Sequence, residues 1–225
     1  MPLLLMDLLR LNFKNIAIIK TISKKKAIIF FYCLLFSFNI FSQKIDFVVD
    51  KSIYKSYFSK ALKVPLYVEY ELFHGGGNAS RAYLKFEAEF ATAKNKDYNK
   101  SGYDKGHLVS AEDFAFDINK EKKTFSFYNC FPQNPKLNRG AWKVWEAKIR
   151  GESQRWPLKI FTGGIYGNRK LNHKVAIPEY CWKVVFNQKN HLIMHVLLFK
   201  NDNTGAVQRV TLSELKVLLN YPVPF

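Results

Sequence analysis

Apolar and polar positions along the chain fall into segments with distinct periods. The longest apolar run, residues 27–41, contains one strongly polar residue, Asn39, and follows Lys24-Lys25-Lys26. It is shorter than the roughly 20 residues that span a bilayer. A basic stretch, a short apolar run and then a small residue, Ser42, is the order of a cleavable export signal. An uncleaved N-terminal anchor is the competing reading. Tyr32, in place of a small residue before Cys33, argues against a lipoprotein cleavage site. Residues 1–42 are therefore assigned as signal peptide or anchor and 43–225 as the working domain, exported after cleavage near Ser42.

Beyond that point the pattern predicts strands with few helices. Residues 66–72 mix apolar and acidic positions as a strand does, 74–78 (His-Gly-Gly-Gly-Asn) break it, and 83–90 alternate, so the two are expected to form a hairpin. The triple glycine lacks the Lys-Ser/Thr ending of a phosphate cradle and reads as a hairpin tip. Aromatic residues over 124–128 predict a short strand, and Pro132 and Pro135 mark a turn. From 138 to 155 the spacing is helical, with Trp142, Trp145 and Ile149 at i, i+3 and i+7. Residues 158–162, 180–186 and 192–199 read as strands, and Thr211 with Glu214 makes a capping box for a last short helix. The expected class is α+β, with a central antiparallel sheet flanked by helices.

Length and composition fit one folded domain: 225 residues, 48% apolar and 24% charged. Charge changes the picture more. The net formal charge is +17, and residues 43–225 alone carry 29 basic and 17 acidic residues, a net of +12. Such an excess concentrates polyanions at the surface and makes their binding salt-dependent; a merely solvated basic surface would give the same number. Export leaves two cysteines, Cys130 and Cys181, which fit a disulfide or two buried thiols in neighbouring strands equally well.

Hydrolysing a phosphodiester requires an activated water, charge stabilisation at the phosphate and a means of placing the backbone. Candidates for each lie between residues 104 and 150. Alone, Asp104-Lys105-Gly106-His107 says little. Followed by Tyr128-Asn129, Pro132-Gln133, Leu137-Asn138-Arg139-Gly140-Ala141-Trp142 and Glu146, it resembles the DNA/RNA non-specific endonuclease family. That family lies within the ββα-metal, or His-Me finger, superfamily and includes endonuclease G-like enzymes. The strand 67–72, Phe161-Thr162-Gly163-Gly164-Ile165-Tyr166, and Ile177-Pro178 before Trp182-Lys183-Val184 extend the resemblance over roughly residues 60–220.

The resemblance implies a ββα-metal nuclease core, one Mg²⁺ (with Mn²⁺ as a possible substitute) held by Asn138, and His107 as general base. An imidazole, with an unperturbed pKa near 6.5, independently suits proton abstraction at neutral pH. Glu146 lies about 80° around an ideal helix from Asn138, with Arg150 one turn further on nearly the same side. One helix face thus offers ligand, carboxylate and phosphate-holding cation; an ordinary surface ion pair between Glu146 and Arg150 is the alternative. Asn129 matches a family asparagine that supports the site, and a local backbone cap explains it as well. Asp104 is placed as an orienting group. Lys105 departs from the family's arginine, keeping the charge but losing the bidentate fork. His191 and His195 have zinc-helix spacing, yet sit in an alternating strand pattern and are assigned structural roles. The expected partners are DNA and RNA through their phosphate backbones, with no small-molecule cofactor, and a membrane only where the N-terminal segment stays uncleaved. A non-catalytic basic nucleic-acid-binding module of the same fold is the alternative function.

Overall fold

The structure, a computed structural model, describes residues 43–225; the segment assigned as signal or anchor, with Cys33, lies outside the described residues. In chain order the strands are β1 (Phe47–Asp50), β2 (Tyr54–Ser59), β3 (Val64–Leu72), β4 (Asp104–His107), β5 (Cys130–Gln133), β6 (Leu158–Leu171), β7 (Val175–Asn187), β8 (Ile193–Lys200) and β9 (Val207–Arg209). The helices longer than one turn are α1 (Ile118–Thr124), α2 (Lys143–Glu152) and α3 (Leu212–Leu218). Seven strands form one sheet in the order β1-β2-β3-β6-β7-β8-β9, and β4 pairs with β5 apart from it. Every strand pairing is antiparallel, as the strand-rich pattern predicted.

The centre of the sheet is covered on both faces, so β3, β6 and β7 are buried along most of their length despite the polar residues they carry. Successive side chains on a strand point to opposite faces, and β7 uses this at its middle. Trp182 faces the C-terminal segment, where its Nε1 donates to the Tyr221 hydroxyl (2.9 Å) and its ring meets Phe225 edge-on. Lys183, the next residue, faces the helical layer and lies against the Trp142 ring. Trp142 in turn packs on Phe199 and Phe131. The helices that cover this second face are those that carry the site.

Three local expectations are corrected. Residues 83–90 form no strand, because both edges of β3 are already taken by β2 and β6. Their one ladder-type pairing is an isolated bridge, Glu87 to Ser126, and the alternating aromatics split between exposed Tyr83 and Phe90 and buried Phe86. Residues 124–128 are not a strand either. Helix α1, capped by Asp117, runs through Thr124, and Ser126 accepts a hydrogen bond from Tyr128 N to start a tight turn, so β5 begins only at Cys130. The helix expected from Asn138 is regular only from Lys143. Asn138–Trp142 is a widened π-type turn, broken at Gly140 (φ −105, ψ −114). The capping box at Thr211 and Glu214 forms as expected. Strands β1 and β2 carry little alternation and were not anticipated. His191 lies at the turn before β8, and His195, within β8, hydrogen-bonds Glu152.

Gly77 explains the glycine run. It has φ +122, and a Cβ there would sit 2.2 Å from the backbone of Ala115 and Phe116, so the 74–78 turn is packed against the chain after residue 110 rather than projecting as a hairpin tip.

Candidate active site

Strands β4 and β5 followed by the π-type turn and α2 form a strand–strand–helix unit that brings sequence-distant polar groups around one cavity of about 600 Å³. Its walls include Arg81, His107, Glu112, Asn138, Arg139 and Glu146. The β4–β5 pairing sets His107 opposite Cys130 and Gly106 opposite Phe131. Gly106 is required by this register: a Cβ on it would lie 2.4 Å from Oε1 and 2.5 Å from Cβ of the buried Gln133.

His107 is half-buried, its ring against Phe86 (4.6 Å between centroids) and edge-on to Phe125 (4.9 Å). Its Nε2 is enclosed and has no hydrogen-bond partner. Burial first, and then the nearby positive charge of Arg81, push its pKa down from the usual 6.5 to about 3. The imidazole is therefore neutral at neutral pH, with a nitrogen lone pair left for a proton.

The chain after His107 is pinned residue by residue. Trp142 Nε1 donates to the His107 carbonyl (3.3 Å), and Lys183 Nζ to the Leu108 carbonyl (3.0 Å). Asn129, fully buried, accepts from Val109 N (2.8 Å) and donates to the carbonyls of Val109 (3.0 Å) and Thr124 (2.9 Å). Its amide is thus committed to backbone and holds the end of β4 in place without lining the cavity.

Asn138 Nδ2 donates to Asp104 Oδ2 (2.9 Å), which leaves the amide oxygen on the other side of the planar group. Arg139 grips the same carboxylate through two bonds, Nε to Oδ2 (2.9 Å) and Nη2 to Oδ1 (2.7 Å). Asp104 therefore orients Asn138. Glu146 is half-buried, with Oε1 enclosed and unpartnered. Its burial raises the carboxyl pKa to about 7, helped by Asp113 and Glu112 and opposed by Lys183 and Arg150. His107, Asn138 and Glu146 thus line one cavity, with His107 Nε2 and Glu146 Oε1 enclosed and unpartnered.

Arg150 stands behind the cavity. Its Nε donates to Asp113 Oδ1 (2.9 Å) and its Nη2 lies 3.1 Å from Glu112 Oε2 and 3.3 Å from Ser110 Oγ. Neither a free phosphate clamp nor the Glu146 ion pair considered from the sequence describes it; its guanidinium is spent on the 110–113 segment that rims the cavity. Lys105 also lies outside the cavity lining, donating to Asn95 Oδ1 (2.8 Å). Cys130 and Cys181 are free, buried thiols. Burial raises both, Cys130 to about 12, so neither is a reactive thiolate at neutral pH.

Two residues at the site escaped the sequence reading. Arg81, exposed and held by Glu112 (3.0 Å) and near Glu121 (3.8 Å), reaches the cavity from an aperiodic loop that gives no signal of its own. Lys183 did leave a signal: it is the charged residue in the otherwise apolar core of β7. It is 1% exposed, sits 4.0 Å from the Trp142 ring centroid, and its pKa is lowered by burial. Burying an ammonium costs several kcal/mol unless other groups compensate, so its placement calls for a reason.

Comparison with known proteins bears on this geometry. The profile described as DNA/RNA non-specific endonuclease matches residues 36–221. The chain belongs to this family. Among its relatives are the mitochondrial nuclease EXOG of Xenopus laevis (29% identical over 128 residues, 48% of this chain and 36% of that protein) and human mitochondrial endonuclease G (31% over 108 residues, 41% and 36%). A nuclease of Nostoc sp. is 36% identical over 91 residues, 39% of this chain and 33% of its own. The chain thus spans about a third of the length of these relatives. The crystal structure of the EndoG/EndoGI complex shares the fold, with a TM-score of 0.66 at 22% identity over 79% of this chain and 85% of that one. Membership accounts for the α+β architecture and for the strand–strand–helix unit around the cavity.

Proposed function

We propose that this chain is a Mg²⁺-dependent endonuclease that hydrolyses DNA and RNA phosphodiesters without base specificity. The observation that carries the reading is the convergence of His107, Asn138 and Glu146, with His107 Nε2 and Glu146 Oε1 unpartnered, in a cavity rimmed by Arg81, Arg139 and Lys143. A binding module needs cations at its surface; it has no use for an enclosed neutral imidazole.

The residues fit a hard, well-hydrated cation. The free Asn138 amide oxygen and the orphaned Glu146 oxygen are the donors that would hold it, with water and phosphate completing its shell, and bound Mg²⁺ or Mn²⁺ would neutralise charge on the phosphate oxygens. The neutral His107 imidazole takes the proton of the attacking water. Arg81, beside His107 in the cavity lining, supplies positive charge toward the phosphate, and Asn129 and Arg150 fix the segments that carry these groups. Cleavage of plasmid and RNA by wild type, and its loss with chelator or on substitution of His107 or Asn138, tests the assignment.

Recognition through the backbone is supported by a basic track beside β4. Asn172 in the β6–β7 turn donates to the Asp97 carbonyl (3.0 Å), and this brings exposed Lys170 and Lys174 next to exposed Lys94, Lys96 and Lys100. Duplex affinity is expected to fall with salt with a log–log slope of about −0.9 per phosphate contacted. Replacing Lys96, Lys100, Lys170 and Lys174 by Ala together should make that slope shallower; an unchanged slope would remove the track from the binding surface.

We also propose export. The motivating feature is the Lys24-Lys25-Lys26 stretch ahead of the apolar run ending near Ser42. The mature protein recovered outside the cytoplasm should begin near Gln43, and an intact N-terminus there would favour the anchor instead.

A further inference from the structure

Lys183 takes no part in the reaction outlined above, yet its ammonium lies directly beneath the site. It emerges from β7 opposite Thr162 on β6 and points away from the Trp182 side of the sheet. Its Nζ donates to the Leu108 carbonyl (3.0 Å), approaches Thr162 Oγ1 (3.5 Å) and sits over the Trp142 ring. Trp142 is the residue that holds the His107 carbonyl and from which α2 departs. Two contacts of one buried cation therefore reach both halves of the site, the end of β4 that carries His107 and the helix entry that carries Glu146.

Fold stability alone does not account for a charge here. The surrounding strand is apolar, and an aliphatic side chain of similar length would fill the space without giving up hydration; such replacements of buried charge are often neutral or stabilising. No carboxylate lies within salt-bridge distance of Lys183 among the described residues, so only the more distant charges of Glu146 and Asp113 offset its burial. What the ammonium does contribute is a strong donor to the peptide after His107 and a cation–π contact at the foot of α2.

We propose that Lys183 is a positioning residue for this site, holding the Leu108 carbonyl and the Trp142 ring so that His107 and Glu146 face the same phosphate. The inference rests on the nuclease reading above.

Lys183→Met tests it. Thermal unfolding should show a folded protein, with kcat on plasmid DNA lowered by about 10- to 100-fold, the size of effect typical when a group supporting active-site ligands is lost. KM should stay within about twofold, because nothing that touches substrate is removed. The ring nitrogen signals of His107 in an NMR spectrum should shift. A folded variant with wild-type kcat would overturn the proposal. Where Lys183→Met does not fold, wild-type protein decides: the Nζ protons, identified by their nuclear Overhauser contacts to the Trp142 ring, should exchange slowly with water, and exchange as fast as at surface lysines would overturn it. Wild type that fails to cleave at all sinks the nuclease reading itself, whereas equal rates in wild type and variant remove only the role of Lys183.

Discussion

His107→Ala is expected to lower plasmid and RNA cleavage by about 10²- to 10⁴-fold, the usual worth of a positioned general base. The imidazole is the basic group at the cavity with an enclosed, unpartnered ring nitrogen, while the Arg81, Arg139 and Lys143 side chains offer only donors. Because Nε2 makes no protein hydrogen bond, the variant breaks none there. The loss is mainly ring packing against Phe86 and Phe125, about 1–3 kcal/mol, which a domain with an extensive core tolerates. Binding of duplex DNA should persist, since the basic rim is untouched. Parallel measurement of cleavage rate, thermal unfolding and duplex affinity separates these effects. If the folded variant degrades nucleic acid as fast as wild type, the base lies elsewhere.

The sequence showed those parts of the site that depend on local order, and hid those that depend on long-range contacts. His107, Asn138 and Glu146 were legible because a strand end, a turn and a helix follow one another within forty residues and each carries one chemical group. Asn129 was legible as a residue, and of its two readings the structure shows the backbone bond: its amide bonds the backbone that continues β4. Arg150 was misplaced because helix spacing gives only the face a side chain leaves from. Its destination is fixed by Asp113, thirty-seven residues away in sequence. The strand order could not be read either. Residues 83–90 have a strand's alternation, but whether alternation becomes a ladder depends on a free edge, and β6 had taken the one available on β3. Aromatic residues over 124–128 misled for a similar reason: Ser126 offered its hydroxyl to the backbone, and the local turn won over extension.

A fall in rate as pH is lowered through about 7 is expected next, and it should belong to Glu146 rather than to His107. Enclosure under the cavity lifts the Glu146 carboxyl to about 7, while enclosure and Arg81 depress the His107 imidazole to about 3. Above about pH 7 Glu146 carries the charge needed to hold a cation; below it the group is neutral and that charge is gone. His107 remains an unprotonated base over the same range and contributes no acid limb. An unperturbed imidazole near 6.5 would put a limb in nearly the same place, so position alone does not decide. Metal concentration does. A cation and a proton compete for the same carboxylate, so raising Mg²⁺ should move the Glu146 limb to lower pH, whereas protonation of an imidazole that does not ligate the metal would not follow it. The Glu146→Gln variant should be much slower and should lose the limb altogether. Stability gives an independent check on the sign. A carboxyl whose folded pKa is raised stabilises the metal-free fold fully below the unfolded value of 4.5, and this contribution is lost as pH rises through about 7. The Tm of metal-free protein should therefore decline across that window in wild type and less so in Glu146→Gln. Rates recorded from about pH 5 to about pH 9 at two Mg²⁺ concentrations decide the matter: a limb that ignores Mg²⁺ and survives in Glu146→Gln would return the titration to histidine.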